Sequence, residues 1–498
     1  MIDSTLCAAP AAIGLDLGTS GVKAVLLCAA GLLLAEAVAP LTVSRPQPLW
    51  SEQAPADWLA AVNSAMAALH AQADPAAWAS VRALAIAGQM HGAVLLDAQG
   101  SVLRPAILWN DGRCQAQCAE LEAREPATRQ ITANRAMAGF TAPKLMWVAQ
   151  HEPAVFAQVS QVLLPKDWLV YQLTGVFASE MSDAAGTLWL DVARRRWSPA
   201  MLAASGMRID QMPPLHEGPD AVGLLRPAWC QAWGLPTAVQ VAAGAGDNAG
   251  GAVGVGVVNP GDAMLSLGTS GVIFVATAGP QANPDHGVHT FCHALPGTWH
   301  QMAVMLSASS ALSWWCSLTS TDPARLLAGL APGGMRAAAP LFLPYLSGER
   351  TPHADPGACA SFIGLTHAHS RDDLSYAVIE GVAFAFADGW AALQAAAPGA
   401  GPRPQRLLAI GGGARSATWL QLLADVLQMP IDQPAGAEVG PALGAARLAL
   451  LSLGLDRAAL LRPPQIAASF MPLPANAVLL QDRLARFRAA YAPLRALA

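Results

Sequence analysis

Two stretches of the chain combine glycine with small hydroxyl residues in a pattern that suits phosphate binding. Residues 15–22 read Leu-Asp-Leu-Gly-Thr-Ser-Gly-Val, and residues 265–272 repeat this sequence with Ser266 in place of Asp16. Glycine lets the backbone come close to a ligand, and successive N–H groups in such a turn converge on an anion. Both stretches are therefore candidate phosphate sites, and only the first carries a carboxylate that could serve a metal ion.

A second carboxylate that could do chemistry is Asp247, which follows a predicted strand and is flanked by glycines. At a tight strand-to-helix turn it could accept a proton from a substrate hydroxyl, and general-base catalysis typically contributes about 10²–10⁴-fold. It could also N-cap the helix that follows, and the two roles are compatible. Residues 244–249 fit the dinucleotide pattern G-x-G-x-x-A, but we reject that site because a carboxylate inside the loop would repel a pyrophosphate.

Candidate substrate contacts lie at the end of a predicted buried strand, residues 83–87. This strand leads into Met90 and His91, and ligands bind at the carboxyl ends of strands in open α/β sheets. Because an isolated histidine is often structural, ligand contact and packing stay equally open for His91. Nearby, Asp111 and Arg113 form either an ion pair that fixes a loop or a direct substrate contact, and the ion pair is favoured.

A glycine-rich turn in the second half of the chain suits a nucleoside or a phosphate. A predicted strand over residues 407–410 runs into Gly411, Gly412 and Gly413, and a predicted helix over residues 417–427 follows. The start of a helix presents free N–H groups and the positive end of the helix dipole. We therefore treat this turn as a candidate adenosine site.

The elements that position these residues form a duplicated pattern. Apolar, β-prone residues on both sides of each phosphate turn predict a β-hairpin. The hairpins lie 250 residues apart, about half of the chain, which indicates two related halves rather than a solenoid with a period of about 20–50 residues. We predict two α/β domains, residues 1–256 and 257–498, with a cleft between them.

Helical periodicity is clear over residues 55–71, where apolar side chains share one face. A C-terminal helix is predicted over residues 477–490, and its arginines, Arg483 among them, are predicted to form a solvated face. Residues 161–191 contain charged and turn-forming residues to which the sequence assigns no role.

Composition excludes several classes of function. A net charge of −5 with 13% charged residues leaves no basic face for nucleic acid. No apolar run reaches the length of a membrane span, and residues 1–11 lack the features of a signal peptide, so we expect a cytoplasmic protein. Eight scattered cysteines, of which only Cys114 and Cys118 lie close together, are expected to be free thiols rather than zinc ligands.

Together these residue types suit phosphoryl transfer from a nucleoside triphosphate to a hydroxyl group. That reaction needs mainly positioning, charge neutralisation and an oriented nucleophile. Asp16 would hold Mg²⁺, which keeps several waters and uses few protein carboxylates. Asp247 would accept the proton of the hydroxyl, and closure of the cleft would exclude water and limit ATP hydrolysis.

Over almost its whole length the chain resembles the FGGY carbohydrate kinases, which have two duplicated ribonuclease H-like domains of the actin, hexokinase and Hsp70 ATPase type. Residues 139–151, including Lys144 and Trp147, fit the first sequence signature of that family, and residues 360–380 fit the second. Similarity to the family members that act on D-xylulose is greatest in three stretches, residues 87–92, 107–113 and 342–353.

The resemblance implies ATP-dependent phosphorylation of D-xylulose at its 5-hydroxyl, with Mg²⁺, by a cytoplasmic homodimer of pentose catabolism that binds neither nucleic acid nor membrane. It implies that Asp247 is the proton acceptor and that Asp16 serves Mg²⁺ and phosphate. The implied sugar contacts are Met90, His91, Asp247 and Asn248. The implied ATP contacts are Gly18, Thr19, Ser20, Gly21 and Lys23 in the first half and Gly268, Thr269, Gly412 and Gly413 in the second.

Three alternatives stay open. Lys23 fits a solvated hairpin lysine as well as it fits a phosphate contact. The chain could be a related kinase for another ketose, polyol or sugar acid, such as ribulose or gluconate. A non-catalytic sugar-sensing protein of the same fold would be expected to lack Asp16 or Asp247, and both are present.

Overall fold

The computed structural model describes residues 10–396, 402–435 and 440–497. The chain divides into two compact units, each discontinuous in sequence. Described residues of Met1–Val258, Phe291–Trp299 and Val439–Pro463 form the first, and those of Asn259–Thr290, His300–Glu438 and Pro464–Ala498 form the second. The prediction divides the chain at a single point, after residue 256. The two units are defined by their packing instead, and the first unit includes two segments that come later in the sequence.

A mixed sheet forms the centre of the first unit. Ala11–Leu17 pairs antiparallel with Gly21–Cys28, as the predicted hairpin requires, and parallel with Val81–Gly88. The strand order is Ala221–Leu224, Gln240–Ala242, Val81–Gly88, Ala11–Leu17, Gly21–Cys28 and Leu33–Pro40, with Ala245–Gly246 also paired to Val81–Gly88.

The two faces of this sheet are covered differently. On one face the helix Pro55–Gln72 buries the apolar side that its periodicity predicts, including Trp58. On the other face the helix Gly440–Ser452 packs through alanines against Ala83 and Ala85 of the central strand. Alternate residues of a strand point to opposite faces, so small residues on one face let a helix approach the sheet closely.

Shorter elements complete the first unit. Its remaining helices are Pro75–Ala79, Gln115–Arg124, Thr128–Thr132, Thr141–His151, Pro153–Phe156, Pro165–Thr174, Met181–Ala184, Pro199–Ala204, Pro227–Trp233, Asp247–Gly254 and Arg457–Leu460. Its short strand pairs are Glu52–Gln53 with Ala106–Ile107, Val94–Leu96 with Gln161–Leu163, Ser179–Glu180 with Leu215–His216, and Leu190–Asp191 with Arg196–Trp197.

The second unit repeats the central motif of the first. Ala263–Leu267 pairs antiparallel with Gly271–Thr277 and parallel with Leu407–Ile410. Leu407–Ile410 also pairs parallel with Ile431–Pro434, and Ile431–Pro434 pairs antiparallel with Ile466–Phe470. Four further described strands lie wholly or partly in the second unit: His289–Cys292, Trp299–Met305, Leu341–Leu343 and Ser361–Ile363. Its described α-helices are Ser309–Leu318, Pro323–Ala328, Arg371–Ala395, Ala417–Leu427 and Pro474–Arg495.

The long helix Arg371–Ala395 is the core helix of the second unit. Among the described residues it is the one helix long and apolar enough to cross a membrane, and 94% of its most apolar window is buried. A buried core helix meets the same criterion of length and composition, so this finding is weak support for a membrane span.

The predicted solvated face of the C-terminal helix is wrong at Arg483. The helix spans Pro474–Arg495, and the Arg483 side chain is buried, with Nε donating to Oε1 of Glu380 at 2.7 Å. Its guanidinium also donates to the carbonyls of Ala337 and Ala339. A buried charge needs this full set of partners, because an unpaired one would be costly. Arg483 therefore links the C-terminal helix to the core helix Arg371–Ala395 inside the second unit.

Candidate active site

The first glycine turn closes the hairpin of Ala11–Leu17 and Gly21–Cys28. The Gly18 amide donates to the Gly21 carbonyl at 2.9 Å, and a Cβ on Gly21 would lie 2.8 Å from the carbonyl oxygen of Ala39 on the neighbouring strand. Glycine at position 21 is therefore required by the close approach of that strand, in addition to any role toward an anion.

Two side chains of the first hairpin, those of Thr19 in the turn and Lys23 in the second strand, already contact other protein groups. The Thr19 hydroxyl donates to Oε1 of Gln89 at 3.1 Å and accepts from Nε1 of Trp109 at 2.9 Å. Lys23 forms an ion pair with Glu36 at 2.9 Å. A phosphate contact from Thr19 would thus come from its backbone amide, and one from Lys23 would compete with Glu36.

Asp16 and Asp247 meet at the same end of the central sheet. Asp16 is in register with Ala87, and Gly246, immediately before Asp247, is in register with Gly88. The Oδ1 oxygen of Asp16 is fully buried and has no hydrogen-bond partner among the described residues. Burial, reinforced by the charge of Asp247 and opposed by Lys23, raises the pKa of Asp16 to about 7. A carboxylate in this state is a fitting ligand for a cation.

Asp247 is the first residue of the helix Asp247–Gly254, and Gly246 is its N-cap. The N-cap interpretation of Asp247 is therefore wrong by one residue, because the tight turn at Gly246 supplies the extended cap conformation. Oδ1 of Asp247 accepts hydrogen bonds from the backbone amide and the side-chain amide of Asn248. Burial raises the pKa of Asp247 to about 6, against these two hydrogen bonds, which lower it. A carboxylate near this pKa can accept a proton at neutral pH.

Met90 and His91 lie against the same strand end. A Cβ on Gly246 would come within 3.0 Å of Met90, and one on Gly186 would come within 2.4 Å of the His91 ring. The His91 backbone has a φ of +70°, in the left-handed region that non-glycine residues rarely occupy. Strained backbone of this kind persists only where its surroundings hold it, and it occurs often at ligand sites.

The His91 conformation is held by hydrogen bonds from several sides. Its Nδ1 lies 2.7 Å from the Gly186 carbonyl. Its own carbonyl accepts from the Thr141 hydroxyl at 3.0 Å and from Nζ of Lys144 at 2.8 Å, and Phe140 packs edge-on against the ring. The imidazole is therefore fixed in both position and orientation.

Lys144 belongs to the first sequence signature, and the structure gives it a physical task. Its side chain is fully buried, its Nζ also donates to the Gly139 carbonyl at 2.7 Å, and burial lowers its pKa to about 7. The helix that carries it spans Thr141–His151. Lys144 thus joins this helix to the backbone of His91.

We expect Lys144→Met to raise the KM for the sugar about tenfold, because a buried carbonyl that loses a hydrogen-bond partner costs roughly 1–3 kcal/mol and Thr141 keeps part of the constraint on His91. Initial rates against sugar concentration measure this. The KM for ATP serves as the internal control and should change less than about twofold; an equal rise in both constants would contradict a role centred on His91.

Sequence reasoning missed a set of polar residues within 161–191. The Gly246 amide donates to Oε1 of Glu180 at 3.1 Å and to Oγ of Ser182 at 3.0 Å. Lys166 and Asp167 form a fully buried ion pair at 2.6 Å. Charged residues are almost never fully buried unless they are paired, so the available signal was Lys166-Asp167 directly before the apolar run Trp168-Leu169-Val170. These residues support the turn that carries Asp247.

Asp111 and Arg113 form the ion pair that the sequence favours. Nη2 of Arg113 lies 2.6 Å from Oδ2 of Asp111, and a second contact joins Arg113 to Glu52. The guanidinium stacks over Trp50, 3.6 Å from the ring centroid. The Asp111 and Arg113 side chains are buried, and Asp111 also accepts a hydrogen bond from the Ser51 amide, so the pair fixes a loop of the first unit.

A cavity of about 830 Å³ lies beside the second glycine hairpin, within the second unit. Gly268, Thr269, Gly412 and Gly413 all line it, together with the start of the helix Ala417–Leu427. Its volume falls in the range of about 300–1,000 Å³ typical of small-ligand pockets. The structure therefore brings the four predicted ATP contacts of the second half into one pocket.

Backbone packing builds this pocket. The carbonyls of Gly268 and Thr269 accept hydrogen bonds from the amides of Ser309 and Ser310, at the start of the next helix. A Cβ on Gly413 would lie 2.6 Å from Leu267 and 2.8 Å from the Ser309 hydroxyl. Glycine at position 413 therefore lets the turn sit directly on the hairpin.

The seven described cysteines are free thiols, six of them buried, and Cys7 lies outside the described residues. Within the described ranges no three His, Cys, Asp or Glu side chains are grouped as a metal cluster would require. Burial raises the pKa values of Cys114 and Cys118 to about 11 and about 12, so both thiols are protonated and inert at neutral pH.

Comparison with known proteins agrees with this geometry. Residues 11–254 match the N-terminal domain of the FGGY family of carbohydrate kinases, and residues 263–453 match its C-terminal domain. The chain is 52% identical to a xylulose kinase of Escherichia coli over 97% of this chain and 99% of that protein. It is 53% identical to a xylulose kinase of Klebsiella pneumoniae over 92% and 94% of the two chains.

A solved structure, described as a xyloylose kinase from Brucella ovis, superposes with a TM-score of 0.93 at 48% identity, covering 98% of this chain and 100% of that one. The predicted two-domain α/β fold of the actin, hexokinase and Hsp70 ATPase type is thereby confirmed. The duplicated sheets, the two glycine hairpins and the match over both family domains lead to one conclusion. The chain is a sugar kinase that belongs to the FGGY family of carbohydrate kinases.

Proposed function

We propose that this kinase transfers the γ-phosphoryl group of ATP to the 5-hydroxyl of D-xylulose, giving D-xylulose 5-phosphate in pentose catabolism. The names of the relatives that are 52–53% identical support the choice of sugar. The observation that carries the chemistry is the position of Asp247, at the start of its helix, beside Asp16 and the Met90–His91 segment.

Each residue has a defined role in this proposal. Asp247 accepts the proton of the attacking hydroxyl, and Asn248 holds the Asp247 carboxylate through two hydrogen bonds. Met90 and the fixed His91 ring orient the sugar, since correct orientation of the nucleophile is most of what phosphoryl transfer asks of the protein.

For ATP, we propose that Gly412 and Gly413 bind the adenosine in the pocket of the second unit, with Gly268 and Thr269 contacting phosphate there. Gly18, Thr19, Ser20, Gly21 and Lys23 contact phosphate in the first unit. In both turns the contacts come mainly from backbone N–H groups, which glycine makes accessible. We propose that residues 1–256 form the domain with the first set of ATP contacts and that residues 257–498 form the domain with the second set.

A coupled assay of ADP release over a panel of ketoses, polyols and sugar acids tests the substrate. D-xylulose should give the highest kcat/KM. A higher value for ribulose, gluconate or another member of the panel would refute the proposed sugar and leave the family unaffected. Release of ADP that no sugar accelerates would refute a kinase function for this chain and favour a sugar-sensing role.

We further propose that Asp16 serves Mg²⁺, because its buried Oδ1 lacks a hydrogen-bond partner among the described residues and its charge is poorly compensated. A single carboxylate is enough, since Mg²⁺ usually keeps several waters. The bound ion would neutralise phosphate charge. We expect Asp16→Asn to raise the Mg²⁺ concentration for half-maximal rate at least about tenfold. An unchanged Mg²⁺ titration in this variant would refute the assignment.

The pH profile should report Asp247. A base must be ionised to act, and the raised pKa of about 6 places the acid limb there rather than near 4. We expect kcat/KM for the sugar, measured with saturating ATP and Mg²⁺, to fall about tenfold per pH unit below pH 6. In the control, the residual activity of Asp247→Asn should lose this limb; an acid limb that persists in the variant would assign it to another group.

A cytoplasmic homodimer is proposed on the basis of the family resemblance. Light scattering of the purified protein measures its mass directly, and a mass close to 51.4 kDa would mean a monomer and refute the dimer.

A further inference from the structure

Asp183 stands out among the buried carboxylates of the first unit. It lies in the short helix Met181–Ala184, its side chain is fully buried, and neither carboxylate oxygen has a hydrogen-bond partner among the described residues. A buried polar group without a hydrogen bond costs free energy, and native structures keep such groups mainly where function requires them.

The neighbours of Asp183 in sequence contact the residues assigned to the sugar. On one side, the Ser182 hydroxyl accepts from the Gly246 amide, next to Asp247. On the other side, the Gly186 carbonyl contacts His91, and a Cβ on Gly186 would lie 3.1 Å from Cε of Met90. In sequence Asp183 lies between Ser182 and Gly186, and the charge of Asp247 acts on its carboxyl group.

Among the residues that the structure describes, the charged groups around Asp183 leave it without a structural partner. The groups that act on it are Lys166, Asp167, Glu180 and Asp247. Lys166, the cation among these four groups, donates to Oδ1 of Asp167 at 2.6 Å and lies 3.7 Å from Glu180. Its charge is therefore already paired with two other carboxylates. Burial and the three carboxylates raise the pKa of Asp183 well above its usual range, against the lowering effect of Lys166.

Glu180 shows what a structural carboxylate looks like in the same cluster. Its oxygens accept from the Ser182 amide and hydroxyl, from the Asp183 amide and from the Gly246 amide. All four donors hold the turn in place. Asp167 in the same cluster is paired with Lys166 through Oδ1, whereas neither oxygen of Asp183 has a hydrogen-bond partner within the part of the chain that the structure describes.

We propose that Asp183 is a sugar-binding residue, whose carboxyl group forms a hydrogen bond with a hydroxyl of the ketose other than the one that is phosphorylated. This proposal rests on the proposed function, since the ligand is the sugar of the same site. A ketose hydroxyl can both donate and accept, so it satisfies this carboxyl group in either protonation state. Sites built to bind a substrate hydroxyl discriminate strongly against analogues that lack it.

The test compares D-xylulose with its 1-deoxy, 3-deoxy and 4-deoxy analogues in the wild-type kinase and in Asp183→Ala. We expect the variant to lose about 10–100-fold in kcat/KM for D-xylulose, the value of a hydrogen bond to a charged or strongly polar group. For one analogue, whose missing hydroxyl is the partner of Asp183, the loss should be less than about threefold. An equal loss for all four sugars would overturn the proposal.

Asp167→Ala is the matched control, because Asp167 belongs to the same buried cluster but is paired with Lys166. It should lower the melting temperature and keep the wild-type ratios among the four sugars. Asp183→Asn provides a variant of nearly equal volume. It should melt no lower than the wild type, since no structural hydrogen bond is lost, yet bind D-xylulose more weakly in a fluorescence titration without ATP. A lowered melting temperature with unchanged sugar binding would overturn the proposal.

The two hypotheses fail in different ways. If the wild-type kinase prefers another sugar, the proposed substrate is wrong, and the same comparison is made with the deoxy analogues of that sugar. If D-xylulose is preferred and Asp183→Ala keeps its kcat/KM within about threefold of wild type, the proposed function stands and the role of Asp183 is refuted.

Discussion

Asp247→Asn is expected to lower kcat by about 10²–10⁴-fold, the usual contribution of a general base. The amide cannot accept the proton of the sugar hydroxyl, but its oxygen can still accept the hydrogen bonds that Asn248 donates to Asp247. KM for the sugar should therefore change less than kcat. Single-turnover rates with saturating sugar and ATP measure the effect on the chemical step.

The same variant should be more stable than the wild type at neutral pH. Because the pKa of Asp247 is raised from 3.8 to about 6 by burial, the folded state binds more protons than the unfolded state between these values, and the free energy of unfolding falls as the pH rises through this window. Removing the charge should restore roughly 1–3 kcal/mol above pH 6. Chemical denaturation at pH 5 and pH 8 separates this effect from others.

Asp210→Asn is the matched control, because it makes the same chemical change at an exposed carboxylate of the same unit that pairs with Arg208. Because the hydrogen bond from Arg208 lowers the pKa of Asp210 below its usual value, the group is ionised at both pH 5 and pH 8, and the variant should alter neither kcat nor the change in stability between these two pH values. If Asp247→Asn kept kcat within a few-fold of wild type, Asp247 would not be the base.

The largest expected effect on stability comes from Gly444→Ala. A Cβ at this position would lie 1.8 Å from the carbonyl oxygen of Gly250 and 3.0 Å from the Gly254 amide. Both neighbours are backbone, so neither can move aside as a side chain would. The two helices would have to separate along their contact, and we expect a loss of at least about 4 kcal/mol in the free energy of unfolding.

Gly251→Ala tests the same helix contact with the opposite expectation. Gly251 is adjacent to Gly250, and the nearest atom to an added Cβ is Cγ of Pro441 at an ordinary 3.9 Å. Alanine favours a helix over glycine by about 1 kcal/mol, so this variant should be as stable as the wild type or more stable. Equal stability of the two variants would show that the backbone contact at Gly444 is not rigid.

Local signals predicted much of the fold. The strand Leu407–Ile410 and the helix Ala417–Leu427 have the bounds that the sequence predicts, because a short apolar run, a glycine turn and an amphipathic segment each leave a clear pattern. Arg483 shows where such patterns fail. Periodicity identifies the apolar face of a helix. It does not show that Glu380, about 100 positions away in sequence, forms an ion pair with one of the arginines on this helix.

The candidate site was predictable to the same degree. Asp16 and Asp247 could be found because each lies near the end of a strand and close to a glycine, Gly18 for the first and Gly246 for the second. Glu180 and Ser182 could not, because their role depends on the Gly246 amide, more than 60 positions away. The left-handed backbone of His91, with a φ of +70°, was equally hidden, since the side chains that hold its carbonyl, Thr141 and Lys144, lie about 50 positions away in sequence.

The discontinuous first unit has a consequence for synthesis on the ribosome. The helix Gly440–Ser452, which covers the alanine face of its sheet, is made about 180 residues after Val258. At a translation rate of about 5–20 residues per second, this helix is synthesised roughly 10–40 s after the strands of the sheet. Folding of the first unit is therefore not strictly vectorial: the unit that begins first cannot close its core until most of the second has left the ribosome.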